Sequence, residues 1–263
     1  MQDEGKPEGS AARQPRSVST GLETLVSTLG YAIQRRSSWM FAPSIHHGPG
    51  QRRSIALTFD DGPCPGTRSL LDYLESQNVR ATFFQCGENV IRHPETARAV
   101  HLAGHEIGNH TFSHPRLCPK FGWPPNLLSP YTIYKEFARA QAVIETETGV
   151  RPRLLRAPYG LRWFGMRTVQ RRFDLKAIMW TVIGRDWILP ALEITERVVQ
   201  GATPGGIVCL HDGRENRPNP DIDQTLVAIR RIVPLLRDQG YTFETVSDLL
   251  QPDFTSHPVG SLP

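Results

Sequence analysis

The amino-acid sequence predicts an α/β fold, a single domain built on parallel strands as either a barrel or an open sheet. Short apolar runs alternate with segments whose apolar residues recur at helical spacing, and this alternation favours parallel pairing. The 263 residues, 39% of them hydrophobic, are enough for one full core. Polar residues also follow several apolar runs, as they do where α/β barrels carry their active sites.

The elements are predicted from periodicity, capping residues and turn signals. A buried-strand run at 54–59 precedes a helix whose three leucines between 70 and 74 share one face. Ser129 and Pro130 are typical of a helix start, and Gly149 of a helix end. Strands are predicted at 54–59, 81–84, 105–108, 154–156, 176–180, 207–210 and 241–246, and helices at 67–77, 88–103, 130–148, 165–172, 191–201, 221–239 and 247–250.

Three segments are expected along the chain: an N-terminal extension at 1–50, the main domain at 51–250 and a tail at 251–263. Residues 1–20 are rich in Gly, Pro, Ser and charge, which predicts disorder. Helical apolar spacing at 22–33 predicts a short amphipathic helix, whose polar face is not basic and therefore favours packing on the domain over a membrane surface. The first residues lack the basic start and apolar run of a secretory signal, so a cytoplasmic location is expected.

Composition argues against several classes of function. The formal charge is only +4 and no block of like charges occurs, so no nucleic-acid partner is expected. No stretch approaches the roughly 18 to 20 apolar residues of a membrane span. Cys64, Cys86, Cys118 and Cys209 are scattered, which disfavours a zinc ribbon or redox pair; buried thiols are expected, with a disulfide left open.

Two adjacent carboxylates and two spaced imidazoles are the main chemical signal. Asp60 and Asp61 follow the first strand, and on an extended backbone they would point in different directions. His110 and His114 are four residues apart, which predicts two imidazoles on one side of a helical turn. One Asp and two His suit Zn²⁺, but also Fe²⁺ or Co²⁺, and leave one acid free as a base. An Asp that caps a turn and a chance pair of histidines are the alternatives.

Further polar residues follow other predicted strands. Arg156, Tyr159, Asp186 and His211 each come after an apolar run, and we expect them to meet the two Asp residues at one end of the sheet. His105 fits a shared turn with the other histidines poorly and is predicted to be structural. The sequence therefore predicts a metal-assisted hydrolytic site at the strand ends.

These residues belong to five ordered motifs that resemble those of the polysaccharide deacetylases. That family has the NodB homology domain, which it shares with the chitin-oligosaccharide deacetylase of rhizobial nodulation. The ordered set is far more specific than any one motif, and the resemblance covers most of the main domain. The motifs are Thr-Phe-Asp-Asp-Gly-Pro at 58–63, His-Thr-Phe-Ser-His-Pro at 110–115, Arg-Ala-Pro-Tyr-Gly at 156–160, Asp-Trp at 186–187 and His-Asp at 211–212.

The resemblance implies a distorted (β/α) barrel of seven or eight strands that removes N-acetyl groups with a divalent metal. Asp61, His110 and His114 would bind the metal, with zinc favoured over cobalt, nickel or iron, and Thr111 would brace their loop. The partner would be an acetylated amino-sugar glycan similar to peptidoglycan or chitin. Relatives that act on wall polymers would place the protein outside the membrane if the assigned start were incorrect.

The resemblance also implies the proton carriers. Asp60 would be the general base, oriented by Arg156, and the backbone N–H of Tyr159 would stabilise the oxyanion. His211 would protonate the leaving amine, with its pKa raised by Asp186. Trp187 would shield this His–Asp pair.

The chain departs from the family pattern at two positions. Ile183 stands where an acid often opens the fourth motif, and Cys209 stands where a Leu usually walls the acetyl pocket. A wider acyl pocket is the expectation from the smaller thiol. In the irregular segment at 116–131, Trp123 or Phe121 could stack on a sugar, or Trp123 could simply pack the loop.

Two alternatives to deacetylation stay open at this point. The same barrel could hydrolyse another non-peptide C–N bond, such as a cyclic amide or a sugar formamide. A catalytically silent glycan-binding domain is the other alternative, and it would be expected to lack Asp60 or His211. Oligomeric state carries no signal in the sequence.

Overall fold

The structure is a computed structural model that describes residues 42–117 and 128–251. The predicted helix at 22–33, the loop residues Phe121 and Trp123, and most of the C-terminal tail lie outside the described residues. Their predicted structure and roles therefore stay predictions.

The described residues form nine strands in one sheet, and every strand pairing is parallel. The strands are β1 (Ser44–Ile45), β2 (Ser54–Asp60), β3 (Thr82–Gln85), β4 (Glu106–Asn109), β5 (Leu154–Leu155), β6 (Lys176–Ile178), β7 (Val182–Ile183), β8 (Gly206–His211) and β9 (Thr242–Glu244). Their spatial order is β1-β6-β5-β4-β3-β2-β8-β7, and β9 pairs with the first half of β2.

Helices connect most of the strands, as parallel pairing requires. They are α1 (Thr67–Ser76), α2 (Gly87–Arg92), α3 (Pro94–Leu102), α4 (Pro130–Thr148), α5 (Met166–Phe173), α6 (Ala191–Gly201), α7 (Asp223–Asp238) and α8 (Val246–Leu249). No helix in the two described stretches is long and apolar enough to span a bilayer.

The predicted distorted barrel is confirmed, and the sheet stays incomplete because its order begins at β1 and ends at β7. Both end strands are missing from the prediction, since two residues are too short to show a periodicity. Ser44 and Ile45 pair with Ala177 and Ile178 in β6. The sheet therefore already includes residues that the sequence assigned to the extension at 1–50.

The single helix predicted at 88–103 is wrong, because the chain breaks it in the middle. His93 adopts a φ of −132° and a ψ of 57°, which ends α2, and Pro94 begins α3. Proline disfavours the helical conformation in the residue before it and cannot donate a backbone hydrogen bond. The presence of Pro94 in the sequence therefore already indicated a break at this position.

Strand β2 is buried along its whole length and positions the first carboxylate. Successive side chains of a strand point to opposite faces. Ile55, Leu57 and Phe59 pack into the cluster formed with the helices, whereas Ala56 packs with residues of other strands such as Phe84 and Ile207. Asp60 lies on the same face as Ala56, at the carboxyl end of the strand.

Helix α4 confirms the predicted bounds at both ends. The Ser129 hydroxyl accepts a hydrogen bond from the Thr132 backbone N–H at 3.1 Å, which caps the first turn. Gly149 ends the helix with a φ of 74°, the left-handed conformation that favours glycine. A Cβ added at Gly149 would meet no atom within 4 Å, so only backbone strain resists substitution there.

Replacing Gly149 with Ala should lower the free energy of unfolding by about 1 kcal/mol, because an alanine is strained in the left-handed region. Gly149→Asn is the matched control and should lose less, since asparagine tolerates this conformation. Urea unfolding measures both. An equal loss in the two variants would contradict the strain argument.

Candidate active site

The carboxyl ends of the parallel strands surround a cavity of about 820 Å³. Parallel strands end at the same edge of a sheet, so the residues that follow them meet there. Of the predicted catalytic, metal and substrate residues that the structure describes, only Arg156 does not line this cavity, and it lies buried behind Asp60. Those that line it are Asp60, Asp61, His110, His114, Tyr159, Asp186, Trp187, Cys209 and His211.

Asp61 lies between the two imidazoles. Its Oδ1 is 3.3 Å from His110 Nε2 and 3.1 Å from His114 Nε2. Its Oδ2 accepts a hydrogen bond from the Glu215 backbone N–H at 2.8 Å. Asp61 adopts a φ of 72°, so the chain has left the extended conformation expected for the Asp pair, yet the two carboxylates still face different partners.

The predicted helical turn between the two histidines is wrong. Residues 110–114 form an irregular turn in which Thr111 has a φ of 70° and His114 a φ of 54°. The turn brings the ring centroids of His110 and His114 to 5.0 Å. The four-residue spacing therefore predicted the proximity of the rings but gave the wrong backbone.

Hydrogen bonds fix the first histidine for metal binding. His110 Nδ1 lies 2.8 Å from the Arg156 carbonyl oxygen, which can only accept, so this nitrogen carries the proton. Nε2 is thereby left free and faces Asp61. Such an oriented imidazole is typical of metal ligands.

The histidine turn is braced by a helix residue that the sequence analysis missed. The Glu136 carboxylate on α4 accepts the backbone N–H groups of Phe112 and Ser113 and the Ser113 hydroxyl, at 2.8–3.1 Å. The brace implied for the Thr111 hydroxyl is not seen, since Thr111 Oγ1 has no hydrogen-bond partner among the described residues. Asn109 Oδ1 instead accepts from the Thr111 backbone N–H. No local motif marks Glu136, because it acts across 23 residues of sequence.

The three predicted ligands fit a divalent cation. One atom each from Asp61, His110 and His114 lies within 4.8 Å of the other two, and all three residues are buried. Within the described residues no hydrogen-bond donor reaches Asp61 Oδ1, although it is buried. A buried, unpaired carboxylate oxygen is costly, and a cation between the three ligands removes that cost.

The charges around Asp61 keep it ionised. Burial by itself would raise the pKa of Asp61, but the charge of His114 and the close approach of the His110 and His114 imidazoles hold that pKa well below its usual value. A carboxylate in this state is the form that binds a metal.

The second carboxylate is held by a buried guanidinium. Arg156 donates from Nη1 to Asp60 Oδ1 at 2.7 Å and to the Thr58 hydroxyl at 2.6 Å. Its other nitrogens donate to the carbonyls of Ile178 and Met179. Asp60 Oδ2 lies 4.0 Å from His110 Nε2, so the oxygen that Arg156 does not contact faces the predicted metal ligands. Asp60 therefore has the position expected of a base beside the predicted metal site.

The histidine at the end of β8 is paired with a buried acid. His211 Nδ1 lies 2.8 Å from Asp186 Oδ1, and the Thr225 hydroxyl and His211 backbone N–H donate to Asp186 Oδ2. Burial opposes protonation of His211, but the charge and hydrogen bond of Asp186 raise the pKa of His211 to about 9. The Trp187 ring stands edge-on to the imidazole at 5.1 Å. This raised pKa favours the protonated imidazole at neutral pH, as the predicted acid role of His211 requires.

Two loops close the cavity around Tyr159. Tyr159 adopts a φ of 57°, and its hydroxyl donates to Glu215 Oε1 at 2.8 Å. Glu215 also contacts Asp61 through its backbone, so it links the tyrosine turn to the metal ligands. The sequence analysis missed Glu215, which lies four residues after His211 without a recognisable motif.

Cys209 contacts Asp60 directly. Its Sγ–H donates to Asp60 Oδ2 at 3.4 Å, and burial raises the pKa of the thiol well above its usual value. Cys209 packs with Met179, Trp180 and Ile183, so it forms part of a small apolar wall of the cavity. Both positions that depart from the family pattern, Ile183 and Cys209, therefore meet in this wall.

Comparison with known proteins agrees with this geometry. The polysaccharide deacetylase family model matches residues 47–178, and a chitooligosaccharide deacetylase of Bradyrhizobium is 35% identical over 75% of this chain and 90% of its own length. The chain belongs to the polysaccharide deacetylase family. The Bc1960 peptidoglycan N-acetylglucosamine deacetylase structure has a TM-score of 0.73 and 28% identity, covering 82% of this chain and 97% of that one.

One similar structure is not an active enzyme. BA3943 of Bacillus anthracis, described as a pseudoenzyme of carbohydrate esterase family 4, has a TM-score of 0.69 and 25% identity over 79% of this chain and 69% of its own. A polysaccharide deacetylase fold can therefore exist without activity, so the argument for function must come from the site residues.

Replacing Glu136 with Gln should weaken metal binding by roughly 10- to 100-fold, the loss typical for residues that orient metal ligands. An amide keeps the size of the side chain, but it has one oxygen fewer than the carboxylate that accepts the backbone N–H groups and the Ser113 hydroxyl. Its NH2 group is a donor and cannot replace that oxygen as an acceptor. Chelator competition measures the affinity. Glu145→Gln, an exposed position on the same helix, is the control and should bind like the wild type; equal affinity in both variants would contradict the bracing role.

Proposed function

We propose that this polysaccharide deacetylase is an active, metal-dependent hydrolase that removes N-acetyl groups from an amino-sugar polymer or oligosaccharide. The observation that supports the proposal most is the side-by-side arrangement of two sets of residues in one cavity. Asp61, His110 and His114 form a metal-binding set, while Asp60 and His211 are two separate proton carriers, each with its own charged partner.

The base and the metal ligands carry the first half of the reaction. A divalent metal bound by Asp61, His110 and His114 would polarise the acetyl carbonyl and lower the pKa of water, and the nitrogen and oxygen donor set favours zinc. Asp60 takes a proton from the attacking water, and Arg156 holds the carboxylate in place by its hydrogen bond to Oδ1. When water attacks the acetyl carbonyl carbon, the Tyr159 backbone N–H stabilises the negative charge that develops on the carbonyl oxygen.

The acid carries the second half. His211 donates the proton that lets the amine leave, and Asp186 keeps that proton on the imidazole until it is needed. Trp187 is 45% exposed at the edge of the cavity, where its ring covers one side of the imidazole. Two carboxylates in different surroundings, one beside Arg156 and one beside His211, thus serve different roles.

The alternatives make different predictions about the same assay. A silent glycan-binding domain would be expected to lack Asp60 or His211, and both are present and correctly partnered. A hydrolase of another C–N bond would bind metal without releasing acetate. Metal content and acetate release from acetylated chitooligosaccharides and peptidoglycan fragments therefore separate the three, and the fragment that reacts fastest identifies the glycan.

Replacing Asp60 with Asn should retain the metal and lower turnover by at least about 100-fold, because the variant lacks a base. Replacing His110 with Ala should remove the metal itself. Metal content and acetate release are measured on the same samples. Equal loss of metal in both variants would mean that the base and ligand roles are assigned incorrectly.

The rate should fall as the pH rises through about 9, because His211 must be protonated to act as an acid and its pKa lies there. Asp186→Asn removes the charge that raises this pKa, so the alkaline limb of kcat/KM should move to lower pH. Asp72→Asn, at an exposed position on α1, is the control and should leave the limb in place. An unmoved limb in Asp186→Asn would show that His211 is not the acid.

A further inference from the structure

A second group of ligand atoms lies beside the first in the same cavity. One atom each from Asp60, Cys209 and His211 lies within 4.8 Å of the other two. None of these residues belongs to the Asp61, His110 and His114 set. The group brings together an oxygen, a sulfur and a nitrogen donor, which is a mixed set that soft and borderline divalent cations bind well.

The distance between the sulfur and oxygen donors fits the binding of both atoms to one cation. Cys209 Sγ and Asp60 Oδ2 are 3.4 Å apart. With a Zn–S distance of about 2.3 Å, a Zn–O distance of about 2.0 Å and a tetrahedral angle, two ligands would lie about 3.5 Å apart. The sulfur and the oxygen therefore already have nearly the spacing of two ligands of one cation, before any movement of the chain.

The third donor, His211, is oriented so that its Nε2 can bind the same cation. His211 Nδ1 is occupied by Asp186, which leaves Nε2 as the nitrogen available to a ligand. A carboxylate behind an imidazole raises its strength as a metal ligand. Arg156 opposes a second cation through its charge, but it contacts the other oxygen of Asp60 and leaves Oδ2 facing the cavity.

We propose that Asp60, Cys209 and His211 form a second, inhibitory cation site that selects thiophilic divalent cations such as Cd²⁺ or excess Zn²⁺. Binding forms a metal–sulfur bond and a metal–nitrogen bond, and it releases the Cys209 thiol proton and the Nε2 proton of His211 to solvent, with no change of oxidation state. The inhibition rests on the proposed function, because the cation would occupy the carboxylate oxygen of the base and replace the proton that the acid must donate. Hard cations such as Mg²⁺ prefer all-oxygen octahedral sites and do not bind here.

The binding test uses the full chain loaded with one equivalent of its own metal. Cd²⁺ is added while the ultraviolet thiolate-to-cadmium charge-transfer band and the bound cadmium are measured. The wild type should bind cadmium with the growth of this band, which the Asp61, His110 and His114 set cannot produce because it has no sulfur. Cys64→Ser, at another buried cysteine, should keep the band, and Cys209→Ser should lose it.

A second variant separates a lost site from a misfolded protein. Asp60→Asn keeps the thiol but removes the carboxylate, and should weaken the band-forming site by at least about tenfold. Neither measurement needs turnover, so the site is tested even if acetate release fails. Persistence of the band in Cys209→Ser, or its absence in the wild type, would overturn the proposal.

The inhibition test compares each variant with its own rate without cadmium. Cd²⁺ should inhibit acetate release by the wild type at a concentration at least about tenfold lower than for Cys209→Ser. Mg²⁺ at the same concentrations is the control and should leave the rate unchanged. Equal inhibition of both proteins by Cd²⁺ would overturn the inhibitory role.

Discussion

The buried side chain and backbone of Arg156 connect the two halves of the site. Its guanidinium donates to Asp60, and its carbonyl oxygen accepts from His110 Nδ1. One residue thus orients both Asp60, the proposed base, and His110, a proposed metal ligand. A fully buried charge is stable only when it is paired and its donors are satisfied, and Thr58 and the carbonyls of Ile178 and Met179 complete that pairing. The relative position of the proposed base and the proposed metal ligands therefore depends on the packing of β2, β5 and β6 around this residue.

Backbone strain is concentrated around the same cavity. Asp61, Thr111, His114 and Tyr159 all adopt positive φ without being glycine. Such conformations cost free energy and persist only where surrounding contacts determine them. Here those contacts are identifiable, because Glu136 braces the histidine turn and Glu215 contacts both Asp61 and Tyr159. The strained backbone lowers local stability, but it fixes the direction of the Asp61 and His114 side chains.

Local signals predicted the long elements and the positions where chemistry occurs, and long-range contacts decided the rest. Helix α4 was predicted with both ends, since Ser129 and Gly149 act within one turn of it. The convergence of polar residues at the strand ends followed from parallel pairing alone. The backbone between His110 and His114 was predicted incorrectly as helical, because a four-residue spacing does not determine the backbone φ angles. Glu136 and Glu215 were missed because their partners lie far away in sequence.

The substitution at Cys209 shows how one side chain can change the chemistry of a site without changing its fold. From sequence, the thiol predicted only a wider acyl pocket. In the folded chain its sulfur is a hydrogen-bond donor to Asp60 and lies in the same ligand group as His211. An aliphatic side chain in that place could neither donate to the base nor bind a cation. A wall residue has thereby become a third polar group beside Asp60 and His211, and a cation bound to Cys209 would occupy both of these proposed proton carriers.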